Sequence, residues 1–325
     1  MRALTAAIQV LLLSAAMACG GSENSSSRPV VRVGHFPNIT HAQALAAHAL
    51  TRGGEGWFEK RLGPGVEIQW FVYNAGPSAM EAILAGSLDL SYVGPNPALN
   101  AYIKSGGEEI RVIAGAAMGG AALVVPGDSS IWTPEDFRGK RIATPQLGNT
   151  QDVACRSWLA SHGFRITQVG GDVLVVPTSN ADQLQLFQSR GVDGVWTVEP
   201  WVSRLELEAG GRIFLEETDA LTAVLAARVG FLRDRDELAR GFAAAHAELT
   251  EWIIAHPEEA RALVGGELRA ETSRAVPVEL LERSWRRLTF TSEISVEPFE
   301  KFADAARSAG FLQGPIDLAR LVSAP

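Results

Sequence analysis

Three segments join an apolar run to a helical pattern through a glycine and short polar side chains: Gly76-Pro77-Ser78, Gly94-Pro95-Asn96 and Gly148-Asn149-Thr150. A helix that begins at such a turn leaves its first backbone N–H groups unpaired and carries the positive end of its dipole there. Glycine lets a ligand come close to that backbone. Ser78, Asn96, Asn149 and Thr150 add side-chain donors. Several of these turns facing one cleft can hold an oxyanion without a buried Lys. Taken singly, each residue also reads as an ordinary cap or turn residue.

Two further segments carry polar groups at the same kind of junction. Trp196-Thr197-Val198-Glu199-Pro200-Trp201 follows an apolar run and opens a helix. Each indole, of Trp196 and Trp201, either covers an apolar part of a ligand, donates its N–H, or belongs to the core. Glu199 either faces a ligand, pairs with an Arg, or caps its own helix. His35-Phe36-Pro37-Asn38-Ile39-Thr40-His41 follows the first apolar run, with Phe36, Asn38, Thr40 and His41 as candidate ligand contacts. His41 and His48 would lie roughly 10 Å apart on one helix at 1.5 Å per residue, so one ion cannot take both. No metal and no cofactor are expected. Nor does the chain contain a Gly-x-Ser-x-Gly elbow, a Walker-type phosphate loop or a His-Glu-x-x-His motif, so binding is expected rather than catalysis.

These turns need a scaffold that brings them to one side. Apolar runs at 30–34, 66–73, 88–93 and 110–116 alternate with helical patterns at 41–51, 77–84 and 95–105. The scheme repeats with runs at 141–144, 172–176 and 194–197 and helices at 150–162, 181–189 and 199–209. Such alternation over short connections predicts α/β architecture with mostly parallel sheets. Ligands in these sheets bind beyond the carboxyl ends of the strands, where the turns lie. Apolar runs at 121–125 and 222–227 read as two crossings between lobes, and four helices from 238 to 309 return to the first lobe. The expected organisation is lobe one over 30–120 plus 228–325 and lobe two, with its crossings, over 121–227.

The chain has 325 residues, more than one hydrophobic core usually serves. A net charge of -8 argues against a nucleic-acid partner. Only Cys19 and Cys155 are present, which excludes a disulfide framework and a four-cysteine metal site. Cys155 lies in a helical run and reads as a small buried residue. Residues 1–18 have a basic start, an apolar centre and small residues at the end, as a secretory signal does. Ala16-Met17-Ala18-Cys19 resembles a bacterial lipoprotein signal, which implies lipid attachment to Cys19. Residues 19–29 then form a Gly/Ser/Asn-rich tether.

Between Val30 and Ala309 the chain resembles the substrate-binding proteins of the nitrate/sulfonate/taurine class of ABC importers. The resemblance rests on Gly34 to His41, Asn74 to Ser78, Ala85 to Gly94, Asp136 to Thr144 and Trp196 to Trp201, in that order. It implies a type II periplasmic-binding fold of two lobes joined by two crossing strands. It also implies a monomeric, lipid-anchored protein on the periplasmic or extracellular face of the cell membrane, delivering a small anion to an ABC permease. Matched binding positions are Asn38, Thr40, Gly76, Ser78, Gly94, Asn96, Asn149, Thr150 and Glu199. The sulfonate binders often carry Asp where this chain has Pro95-Asn96 and Glu199. Nitrate, bicarbonate or a thiamine-pyrimidine precursor therefore stand as alternative ligands, and a pyrimidine-precursor synthesis enzyme as an alternative function.

Overall fold

The computed structural model describes residues 28–167, 170–313 and 315–323. The signal-like run, Cys19 and the tether up to residue 27 lie outside the described residues. The first half runs β1 (Val30–His35), α1 (Ala42–Arg52), α2 (Trp57–Leu62), β2 (Glu67–Val72), α3 (Gly76–Leu84), β3 (Leu90–Val93), α4 (Pro95–Lys104) and β4 (Ile110–Gly119). Next come β5 (Ala121–Pro126), β6 (Arg141–Thr144), α5 (Thr150–Ser161), β7 (Leu174–Pro177), α6 (Asn180–Gln188), β8 (Gly194–Val198), α7 (Trp201–Ala209) and β9 (Gly211–Glu217). The chain returns through β10 (Leu221–Arg228), α8 (Val229–Asp234), α9 (Asp236–Ala255), α10 (Pro257–Thr272), α11 (Val278–Trp285), β11 (Leu288–Phe290), α12 (Glu297–Ser308) and α13 (Leu318–Leu321).

Two sheets result. The first has the order β11-β4-β10-β3-β1-β2, the second β7-β6-β8-β5-β9. Strand β1 pairs in parallel with β2 and β3, and β6 pairs in parallel with β7 and β8. In each sheet an interior strand runs against both neighbours, β10 between β3 and β4 and β5 between β8 and β9, and the edge strand β11 also runs against β4. The sheets are thus mixed rather than purely parallel. The interior antiparallel strand of each is the first strand the chain makes after it changes sheets.

Those changes occur at Gly119–Gly120, between β4 and β5, and at residues 218–220, between β9 and β10. Both glycines have positive φ, +74° and +71°, which costs glycine nothing. They also admit close neighbours. A Cβ on Gly119 would stand 2.5 Å from the Arg287 carbonyl oxygen, and one on Gly120 2.5 Å from Leu288 Cδ2. The C-terminal segment therefore packs directly on the first crossing.

Each sheet buries apolar side chains on both faces. Val33, Tyr92, Leu225 and Phe242 lie in one cluster of the first sheet, and Val93, Val224, Leu99 and Phe299 in the other. Leu123, Ile142 and Trp196 belong to one cluster of the second sheet, and Val124, Ala143 and Val195 to the other. Successive strand residues alternate between clusters because side chains alternate across a strand. Burying each large side chain contributes about 1.5–3 kcal/mol. With both faces covered, the strand ends and their turns are what remains for function.

Candidate functional site

Turns from both sheets meet at one small cavity. Helix α3 begins at Gly76 after Ala75, with Pro77 in its first turn, where a missing N–H costs nothing. Helix α4 begins at Pro95 after Gly94. Helix α5 begins at Thr150, and the Asn149 side chain accepts from the Asp152 N–H as its cap. Helix α6 begins at Asn180. Ala75, Gly76, Gly94, Asn149, Thr150 and Asn180 all line the cavity, so four helix N-termini face it. None of its described lining residues is Lys, Arg, Asp or Glu. The field inside comes from backbone dipoles and neutral donors, an arrangement suited to an anion.

Phe36, Asn38, Thr40 and His41 line the same cavity. The His41 Nδ1 accepts from the Phe36 N–H at 3.1 Å. Burial, with a smaller push from His35, holds the His41 imidazole well below its usual range. The ring is thus neutral and carries its proton on Nε2. Asn38 joins the two halves: its Oδ1 accepts from the Trp201 indole N–H at 3.1 Å and from Asn180 at 3.5 Å. One residue on, the Ile39 N–H donates to the Glu199 carbonyl at 3.0 Å. Across the cavity, Thr150 Oγ1 is buried with no hydrogen-bond partner among the described residues.

The halves are pressed together. The cavity measures about 30 Å³. A single water needs roughly 10–15 Å³ on the same footing. A Cβ on Gly94 would lie 2.3 Å from Thr150 Oγ1, so glycine at 94 is what permits this approach.

The other sequence candidates lie elsewhere. Ser78 donates to the Ala75 carbonyl at 2.9 Å and caps its own turn. Asn96 and Trp196 line a separate cavity of about 680 Å³ beside the second crossing. There Trp196 Nε1 donates to Glu217 at 3.1 Å. Glu199 is fully buried and accepts from Ser203 at 2.9 Å, Ser284 at 2.9 Å and Arg287 at 2.8 Å. Burial pushes its carboxyl above the usual range, against the pull of Arg287. Of the readings open for Glu199, the structure has two: it pairs with Arg287, and it accepts from the Ser203 N–H at 3.1 Å in the first turn of its own helix. Cys155 is buried in the second sheet's core, and burial drives its thiol well up, away from the reactive thiolate. Asn74, Asn180 and Thr222 line the small cavity without having been singled out from sequence. Asn74 and Asn180 carry the same signal as Asn149, an amide beside a helix start after an apolar run.

The fold has recognisable relatives. The chain is 26% identical over 229 residues to the taurine-binding periplasmic protein of Escherichia coli K12, covering 68% of each. The alkanesulfonate-binding protein SsuA of Xanthomonas axonopodis pv. citri, solved with MOPS, superposes with a TM-score of 0.72 at 20% identity. That match covers 91% of this chain and 98% of the other. The periplasmic nitrate-binding protein NrtA of Synechocystis PCC 6803 superposes with a TM-score of 0.63 at 15% identity. It covers 78% of this chain and 69% of that one. The shared architecture is the periplasmic-binding fold. The NMT1-like family profile matches residues 24–265, and the chain accordingly belongs to the NMT1-like family.

Proposed function

We propose that this protein is the solute-binding component of an ABC importer and captures a small anion between its two lobes. The observation that carries this reading is the meeting of four helix N-termini, from both sheets, at one cavity free of charged side chains among its described lining residues. Lobe one is assigned residues 30–120 and 228–325, and lobe two the segment between. The ligand enters while the lobes stand apart and bridges them on closure. Periplasmic binding proteins close by a hinge around their ligands, and closure follows from ligand preferring the closed form. The taurine- and alkanesulfonate-binding relatives support an organosulfonate as the ligand. Export and attachment through Cys19 complete the reading, with a membrane permease as partner. No described helix is long and apolar enough to cross a membrane.

The small volume favours a second reading in which the anion is compact, such as nitrate. Calorimetry with taurine, longer aliphatic sulfonates, nitrate and bicarbonate distinguishes the two. An organosulfonate should bind and stabilise the protein by about 2.7 kcal/mol at a hundredfold excess over Kd. Thr150→Val should remove most of that binding. Nitrate binding alone would replace the first reading by the second. Absence of binding by every anion in the set at millimolar concentration would refute both.

A further inference from the structure

Away from the small cavity, three side chains from three elements point at one spot. His35 closes β1, His48 lies on α1 and Glu271 on the last turn of α10. The His35 Nε2, His48 Nδ1 and Glu271 Oε1 atoms form a triangle with edges of 3.3, 3.0 and 3.1 Å. Glu267 Oε1 stands 2.9 Å from the same His48 nitrogen. A tetrahedral zinc ion with N and O ligands at about 2.0–2.1 Å has its ligand atoms about 3.3 Å apart.

Hydrogen bonding alone accounts poorly for this arrangement. The His35 Nδ1 lies 3.4 Å from the Phe36 carbonyl oxygen, which can only accept. With its proton on that nitrogen, His35 presents the Nε2 lone pair to the cluster. One proton on His48 Nδ1 then faces three acceptors: His35 Nε2, Glu267 Oε1 and Glu271 Oε1. Glu271 Oε2 is buried with no hydrogen-bond partner among the described residues, and the Glu271 side chain is only 2% exposed. A single cation meets all three acceptors at once. A histidine that donates its other N–H to a backbone carbonyl is the usual outer support of a metal ligand. Trp70 holds both rings, edge-on to His35 and stacked on His48. Arg52 binds Glu267 at 2.6 Å and leaves Glu271 as the freer carboxylate.

We propose that His35, His48 and Glu271 form a binding site for a divalent transition-metal ion of the zinc class, with Glu267 beside it. Two imidazoles and a carboxylate suit zinc, cobalt or nickel better than calcium or magnesium, which prefer oxygen alone. The ion ties together β1, α1 and α10 within the first lobe, three residues before Asn38. It needs no lobe closure and no anion in the cleft.

The test uses the full chain after removal of metal by chelation. Co²⁺ titration should give one ion per chain with the visible absorption of a four-coordinate site, and Zn²⁺ should displace it. Glu271→Gln and His48→Gln should each weaken Zn²⁺ binding by at least roughly 100-fold, beyond the 10–100-fold typical of losing an outer-sphere partner. His256→Gln, at an exposed histidine, should change nothing. If the variants fail to fold, Zn²⁺ protection of His48, the partly exposed member of the pair, from acylation by diethyl pyrocarbonate in the wild type, read by mass spectrometry, decides. No uptake by the wild type, undiminished uptake in folded variants, or no protection would each overturn the proposal.

Discussion

A methyl group on Gly94 would meet Thr150 Oγ1 at 2.3 Å, across the space between the lobes. The glycine has φ of -69°, a conformation alanine adopts freely. Gly94→Ala should therefore leave each lobe intact and oppose only their approach. We expect ligand affinity to fall at least tenfold, while unfolding stability without ligand changes by less than about 0.5 kcal/mol. Calorimetry and urea unfolding on one preparation check both halves of this. Ser78→Ala is the contrast, because its hydroxyl turns back to the Ala75 carbonyl, and affinity should hold. Gly94 and Asn96 show what spacing in sequence cannot resolve. Both sit at one turn, yet Gly94 lines the small cavity and Asn96 the large one. Two residues along a helix start turn a side chain by about 200°, so neighbours in a motif face opposite ways.

Helix α10 carries the same lesson at the next scale. The sequence pattern predicts a helix over 257–264, ending before Gly265-Gly266. The helix continues to Thr272. Gly265 is there for packing: a Cβ on it would stand 2.6 Å from Leu281 Cδ1 of α11. The overlooked turns carry Glu267 and Glu271, so their meeting with His35 and His48 was invisible in the sequence. Strand β9 was also missed, since Glu-rich Gly211–Glu217 lies at a sheet edge and stays half-buried. The strands legible in the sequence are β1 to β8 and β10, most of them buried apolar runs and β2 and β7 partly exposed. Between the elements, Arg287 binds Glu199, Glu206 and Glu216 and fixes the C-terminal segment to the second sheet. Removing it strands the fully buried Glu199. Arg287→Ala should cost about 3–5 kcal/mol. Adding Glu199→Gln should restore part of that loss. Urea unfolding of both single variants and the double variant measures the coupling, and strictly additive losses would contradict it.

At the scale of the molecule, two covered sheets are joined at two short crossings and bonded to one another across the space between them. Asn38 to Trp201, Ile39 to Glu199 and Asn100 to Gly148 are such bonds. Each contributes about 0.5–1.5 kcal/mol net, less than either lobe's core, and the Arg287 ion pairs and the burial of Val153 from α5 in the first sheet's apolar cluster add to them. Overall stability is set inside the lobes, and there one buried histidine gives it a sign with pH. His246 Nδ1 accepts from the Tyr92 hydroxyl at 2.9 Å, and Nε2 donates to the Gly115 carbonyl at 2.8 Å. Burial pulls its pKa down to about 4. The unfolded chain, with an ordinary imidazole near 6.5, binds more protons than the folded one between these values. The His246 contribution is therefore full above pH 6.5 and falls as pH drops from 6.5 towards 4, by up to about 1.4 kcal/mol per pH unit. His41, also buried and lowered, acts with the same sign. His246→Gln removes the titrating ring along with its two bonds. The variant should be less stable at pH 7.5, yet lose less than the wild type between pH 6.5 and 4.5. Urea unfolding across that range reads the two slopes, and parallel slopes would show that His246 is not the group being protonated.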